Sequence, residues 1–201
     1  MSSKDENIDF MQLIDKNDTI FVLTPKYGYF FPPNVNRGKP LYNLKKRQSI
    51  VLGTTSFLYQ SYDSNLSPNF GLGLVICDND NYKVEFHRMT ERGQIKQPNS
   101  FSLDNIFSPL SCKNWVEEVQ LFVSFSDTRF GEIYNLILIW NHPDRNGQVT
   151  VLEADNDGVR IIKNKNLDDM IDLSFVRVFG DSDAVTGVYH LLENATFNIS
   201  F

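Results

Sequence analysis

Polar and apolar positions alternate in steps of two along most of this chain. Between residues 148 and 153, Gln148, Thr150 and Leu152 take turns with Val149, Val151 and Glu153, and the run resumes after Asp157-Gly158 at Val159 and Ile161. Successive side chains of an extended strand point to opposite faces, so this period marks strands with one face turned inward. Similar β-branched or aromatic runs predict strands at residues 19–25, 41–44, 49–59, 71–77, 82–88, 118–126, 133–140, 148–153, 159–163, 175–179 and 189–192, with one more at 197–201. Between them stand Ser64-Asn65, 79–81, Arg92-Gly93, 143–147, Asp157-Gly158 and 181–183, all rich in turn formers. Short strands at spacings of roughly 8 to 15 residues argue for an all-β fold, an antiparallel β-sandwich of about eight to ten strands, and against alternating strands and helices.

Three stretches depart from the alternation. Over residues 3–16, Ser3 and Glu6 form a capping pair, and Ile8, Met11 and Ile14 recur at helical spacing with Phe10 and Leu13 widening the stripe. This predicts a short N-terminal amphipathic helix. Over 27–34, aromatics surround Gly28 and end in Pro32-Pro33, whose fixed φ and missing N–H predict a rigid extended turn. Asn166 is placed to cap one helical turn over 167–173. Residues 1–33 are therefore expected as a helix and extended arm, and 34–201 as the sandwich domain. Two hairpins are predicted. Asp157-Gly158 supplies positive φ for one, and the short polar loop 78–81 joins 71–77 to 82–88 in the other.

Composition narrows the setting. The chain has 201 residues, 41% hydrophobic and 22% charged, with 19 basic and 25 acidic residues and a net charge of −6. That is an ordinary globular balance over one domain's length, enough to bury a core without metal or disulfide. The one compact basic run, Lys45-Lys46-Arg47, alternates across a strand, so nucleic-acid binding is not expected of this acidic chain. No apolar run reaches about 18 residues, so no membrane span is expected. The opening MSSKDENIDF lacks the basic-then-apolar layout of a secretory signal, which makes a cytoplasmic setting the expectation. Cys77 and Cys112 match no zinc spacing, and Cys77, beside the apolar run 74–76, is expected as a buried thiol.

Few residues are arranged for chemistry. His87, His142 and His190 are the only histidines, and none has a spacing that presents two imidazoles on one face. No nucleophile elbow, phosphate-binding loop or dinucleotide fingerprint occurs. The stretch Glu153, Asp155, Asp157, Gly158 repeats the front half of a calcium loop. Its twelfth position is Asn164 and its flanks are strands, so a solvated turn is expected there. The pairs Asp78 with Asp80 and Asp181 with Asp183 fall at turns too. No catalytic residue, metal site or cofactor is expected, and the chain reads as a non-catalytic binding module. Aromatics joined to polar turn residues make good contact anchors, which points to Tyr27, Tyr29 and Phe30, and to Trp140 and His142 at the loop 140–147.

The order of segments from Asn36 onward adds a family likeness. The segments are 37–53 (RGKPLYNLKKRQSIVLG), 70–84 (FGLGLVICDNDNYKV), 116–155 and 177–191 (RVFGDSDAVTGVYHL), spread over a region that spans about five-sixths of the chain. Within 116–155, Phe130-Gly131, Asn135, Ile137, Ile139 and Gly147-Gln148-Val149 keep order and spacing. In this order the segments resemble the TerD-type tellurium-resistance and stress-response domain; the likeness lies in the order and not in any one motif. It implies a β-sandwich that works by binding. In that family, metal activity goes with aspartates in a Phe-Asp-Leu-Asp segment and with a later acidic, glycine-rich loop. Here the first two positions are Gly71 and Gly73, and 89–102 offers Glu91 without an aspartate cluster. The resemblance therefore implies a member whose calcium ligands are lost, since calcium needs several oxygens. A protein partner or self-association is the expectation that follows. The alternative is a structural subunit of a larger assembly, such as a phage, virion or secretion particle, using the N-terminal arm for contacts.

Overall fold

The computed structural model of the chain describes the backbone of residues 10–14, 19–23, 27–31, 39–43, 50–59, 69–88, 98–107, 111, 119–142, 146–167, 176–181, 184–192 and 195–200, and the side chains of 50–57, 71–88, 98–107, 111, 119–142 and 146–167. Strands dominate. In chain order they are β1 (Phe10–Ile14), β2 (Thr19–Leu23), β3 (Tyr27–Phe31), β4 (Lys39–Asn43), β5 (Ile50–Tyr59), β6 (Asn69–Asp78), β7 (Asn81–Arg88) and β8 (Asn99–Ser102). The short helix α1 (Asp104–Phe107) follows, then β9 (Gln120–Thr128), β10 (Gly131–Asn141), β11 (Gly147–Asp155), β12 (Gly158–Asn166), β13 (Val176–Asp181), β14 (Ala184–Leu192) and β15 (Ala195–Ser200). Each strand pairs antiparallel with its neighbour in sequence, giving the meanders β1-β2-β3-β4, β5-β6-β7-β8, β9-β10-β11-β12 and β13-β14-β15. Antiparallel neighbours need only a short turn between them, and short connections recur along the chain.

The two central meanders enclose one core, and the two-residue period decides what enters it. Tyr82, Val84 and Phe86 of β7 meet Tyr134, Leu136, Leu138 and Trp140 of β10, with Leu121 of β9 and Leu152 and Ala154 of β11. Phe86 and Tyr134 stack with ring centroids 4.0 Å apart, and Phe57 of β5 stands edge-on to them at 5.7 and 6.0 Å. Each such ring contributes roughly 1.5–3 kcal/mol by leaving water. Phe107 of α1 closes one margin of this core, its centroid 5.2 Å from Tyr82 and 5.0 Å from Trp140.

On one side the two sheets touch backbone to backbone. The N–H of Val119 donates to the carbonyl of Leu52 at 2.7 Å. A Cβ at Gly53 would lie 2.0 Å from the Val119 carbonyl oxygen, so only glycine permits the approach. The outer face of β6 is buried as well, with Leu72 at 3%, Leu74 at 0% and Ile76 at 2% exposure. A strand covered on both faces needs apolar residues on both, which is why 74–77 reads as an unbroken apolar run.

The expected all-β antiparallel sandwich is the architecture observed, and its two packed four-stranded sheets supply eight strands. Fifteen strands in all occur among the described residues. Residues 10–14, in the middle of the expected N-terminal helix, form β1 and pair with β2, while the rest of 3–16 lies outside the described residues. A short run such as Phe-Met-Gln-Leu-Ile fits either period, and pairing with β2 decides. The extended segment at 27–31 is itself a strand, β3, and it pairs with β4. The hairpin over 78–81 has Asn79 at φ 52° and Asp80 at φ 62°, as a two-residue primed turn requires. In the β11–β12 hairpin the loop residues are Asn156 and Asp157, and positive φ falls on Gly158 alone, at 127°. The helical turn expected over 167–173 lies beyond the described residues except Leu167, whose N–H donates to the Gly147 carbonyl at 2.8 Å. One cysteine reading is overturned. Cys77 is 1% exposed in the core and is disulfide-bonded, not a free thiol; the chain's other cysteine, Cys112, lies outside the described residues.

Candidate functional site

Opposite the closed β5/β9 side, the edges β8 and β12 meet less extensively and a cleft of about 390 Å³ lies between Ser100–Ser102 and the β11–β12 turn. Its walls are Ser100, Ser102 and Asn105 on one side and the turn from Asp155 to Val159 on the other, with Phe101 between. Local sequence builds both walls. In β8, Phe101 turns inward against Phe86 and Tyr134, each 5.9 Å away, while Ser100 and Ser102 turn outward by the two-residue period. Ser102 Oγ donates to Asp104 Oδ2 at 2.8 Å and accepts from the Asp104 N–H at 3.2 Å, a cap that starts α1. Asp104 Oδ1 also accepts from the Tyr82 N–H at 2.6 Å, pinning this wall to β7. Burial first, and then the nearby Asp80 and Asp104 carboxylates, push the Tyr82 hydroxyl up to about 12.

The facing wall is a rigid turn. Asp155 Oδ1 accepts from the Asp157 N–H at 2.8 Å, the side-chain bridge that aspartate offers a reversing backbone. A Cβ at Gly131 would lie 3.0 Å from Asn156 Nδ2, so the β9–β10 tip abuts this turn. At that tip Phe130 is 83% exposed, with the Arg129 guanidinium 4.6 Å from its ring centroid. Behind the cleft, Arg88 pairs with Glu132, and Asn99 Nδ2 donates to Glu132 Oε2 at 3.0 Å and to Tyr134 Oη at 3.1 Å. This network ties the start of β8 across the core to β10. Burial raises the Tyr134 hydroxyl above the ordinary tyrosine range; the Arg88 charge works against that and the Glu132 charge adds to it. The phenol therefore stays protonated and can donate to Glu132 Oε2, 3.4 Å away. The cleft thus offers carboxylate, hydroxyl and amide groups above an apolar floor of Phe101 and Val159, a lining that can hold a polar segment with one apolar face.

Of the residues singled out in the sequence, the two whose side chains are described, Trp140 and His142, do not line this cleft. Trp140 is 4% exposed and packs edge-on to Phe107, so its ring serves the core. His142 is half-buried, its ring centroid 5.7 Å from that of Trp140. Tyr27, Tyr29 and Phe30 lie on β3, and their side chains are outside the described residues. The acidic turns are occupied locally. Glu153 bonds Arg160, Asp155 braces its own turn, Asp78 Oδ1 accepts from Asn79 Nδ2 at 3.2 Å and Asp80 accepts from Ser111 Oγ at 3.1 Å. Asp181 ends β13, and Asp183 lies outside the described residues. Among the described residues no group of three or more His, Cys, Asp or Glu is placed to hold a metal ion. Gly71 and Gly73 face the sandwich interior, where a Cβ would lie 2.3 Å from Phe57 Cζ and 3.2 Å from Leu121 Cδ2 respectively. Apolar side chains therefore fill the space beside both glycines.

Sequence reasoning passed over Ser100, Ser102 and Asn105. The signal was three residues of alternation, Ser-Phe-Ser, followed by a Ser-x-Asp cap, too short to stand out. A scan against protein-family models finds no match to this chain, and a comparison with curated protein sequences finds none either.

Proposed function

We propose that this chain is a non-catalytic binding module whose open side, between β8 and β12, receives a protein partner. The observation that carries the reading is the asymmetry of the two sandwich sides. One is sealed by the Val119–Leu52 backbone hydrogen bond, and the other holds a polar cleft above Phe101 and Val159. A rigid strand scaffold with variable turns at its margin is the usual way such folds present a binding surface. The segment order that resembles TerD-type domains supports a stress-response binding role, with glycine at 71 and 73 where that family carries calcium ligands. No helix among the described residues is long and apolar enough to cross a membrane. The disulfide at Cys77 supports an oxidising compartment in place of the cytoplasmic setting suggested by the sequence, because disulfides persist mainly where thiols are not kept reduced.

The test fills the cleft. Ser100 and Asn105 are exposed, so Ser100→Trp with Asn105→Trp should change stability little. The immobilised wild-type chain should retain a partner from extracts of its source cells, and the filled variant, at an unchanged melting temperature, should lose it. Retention of the same partners by both proteins would refute the reading.

A further inference from the structure

We infer that the Arg129-Phe130 tip of the β9–β10 hairpin enters the cleft of a second copy of this chain, and that two copies pair reciprocally in this way. The inference rests on the cleft reading above and names the occupant. Phe130 is 83% exposed, at a turn with described residues on both sides, 119–142, so its own molecule leaves the ring in water. Hydrogen bonds hold it there. The Phe130 N–H donates to Thr128 Oγ1 at 3.2 Å, Thr128 Oγ1 donates to the Gly131 carbonyl at 3.0 Å, and Gly131 takes φ 132°. An aromatic side chain on a braced turn loses little freedom on docking, which suits it as the anchor of an interface.

Size and charge select the occupant. A cavity of roughly 150 Å³ already holds a benzene ring, so the cleft, at about 390 Å³, admits the Phe130 ring with room for a guanidinium beside it. The floor of Phe101 and Val159 is apolar and suits the ring. The lining carries the carboxylates of Asp155 and Asp157 and no basic residue. Arg129 is the cation that travels with the ring, its guanidinium 4.6 Å from the ring centroid. Asp155 Oδ1 accepts from the Asp157 N–H, yet a carboxylate has about four acceptor sites and takes a guanidinium as well. Reciprocity follows from position. Gly131 abuts Asn156, so the tip and the cleft wall are neighbours on one surface. A surface that carries both a knob and its socket lets a two-fold axis bring each knob to the other's socket, the self-complementary arrangement of the commonest dimers. The acidic turn beside the tip argues against a lipid target, since it repels anionic headgroups.

Sedimentation equilibrium of the full-length chain should show a dimer that forms with rising concentration. Phe130→Ser, an exposed change, should weaken it about tenfold or more at an unchanged melting temperature, as should the cleft-filled Ser100→Trp, Asn105→Trp chain. Mixing these two variants should restore pairing as a one-to-one heterodimer, weaker than the wild-type dimer, because one supplies the tip and the other the cleft. Arg129→Glu should weaken the dimer, and Asp157→Arg should restore it in that background. A dimer indifferent to Phe130→Ser, or two variants that do not associate when mixed, would overturn the inference. Binding of a monomeric chain to phosphatidylserine vesicles through Phe130 would assign the tip to lipid and overturn it too. A chain that stays monomeric at millimolar concentration, yet captures partners from extracts and loses them when the cleft is filled, would overturn this inference and leave the cleft reading intact. The cleft reading fails separately, if the cleft-filled chain still retains those partners.

Discussion

Glu85 Oε2 lies 3.2 Å from Nε2 of His87 on the outer face of β7, and Lys83 Nζ lies 2.9 Å from the other carboxylate oxygen. The period that sends Tyr82, Val84 and Phe86 into the core sends these three residues to the other side, yet Glu85 is only 2% exposed and His87 only 6%. Burial alone would raise the Glu85 carboxyl. Hydrogen bonds from His87 and Lys83, with the Lys83 and His87 charges, outweigh it and hold the group at about 2.

Acid should therefore unfold this protein partly through Glu85. Its folded value lies below the ordinary 4.5, so its stabilisation is fully present above that value and is lost as the pH falls towards about 2. The amount is on the order of 3 kcal/mol. Urea unfolding followed from neutral to acid pH should show wild type losing more stability than Glu85→Gln, which should be less stable at neutral pH and change less with acid. Parallel pH curves for the two proteins would contradict this account.

The disulfide at Cys77 constrains the unfolded chain and should stabilise the fold by about 2–4 kcal/mol. Reduction under native conditions, or Cys77→Ala, should lower the melting temperature by roughly 5–15 °C for a chain of this size. Alkylation of the unreduced, denatured protein should label neither cysteine. Labelling at both would mean that the bond does not form in the protein as isolated.

Gly71 and Gly73 should not tolerate side chains equally. At Gly71 a Cβ overlaps the Phe57 ring, which is held by Phe86 and Tyr134, so Gly71→Ala should cost about 1–3 kcal/mol. At Gly73 the neighbours are methyl groups at 3.2 and 3.3 Å that can yield, and Gly73→Ala should cost less. Phe57→Leu should be less harmful in the Gly71→Ala background than in wild type, a coupling that a double-mutant cycle measures. Simple additivity would mean that Phe57 and position 71 do not share this space.

Calcium should leave stability nearly unchanged. Glu153 and Asp155, the first acidic residues of the half-loop, are engaged by Arg160 and by the Asp157 N–H. A bound ion stabilises by mass action, so a tight site would raise the melting temperature by more than a few degrees at millimolar calcium. Such a rise, abolished by Asp155→Asn, would place a cation at this turn.

Much of the sandwich could be read in the sequence because hairpins are local. The inward set Tyr82, Val84 and Phe86, the turn at Asn79-Asp80 and the β11–β12 reversal each depend on residues close together in the chain. The cleft was not legible, since its walls come from β8 and from the β11–β12 turn, and no local pattern says that a cleft lies between them. Burial of Glu85 and His87 was hidden for a similar reason. Alternation says that a residue leaves the core on one side, but not whether another layer covers it there.

By itself, then, the order of residues determined the strand period, the hairpin turns and which face of each central strand turns inward, because those follow from φ preferences and from two-residue geometry. Tertiary structure alone decided that Gly53 admits the Val119 carbonyl and seals one side, that the opposite side leaves a cleft above Phe101 and Val159, and that Cys77 is crosslinked. Each of these depends on distances between segments far apart in the chain, which are set only when whole layers pack against one another.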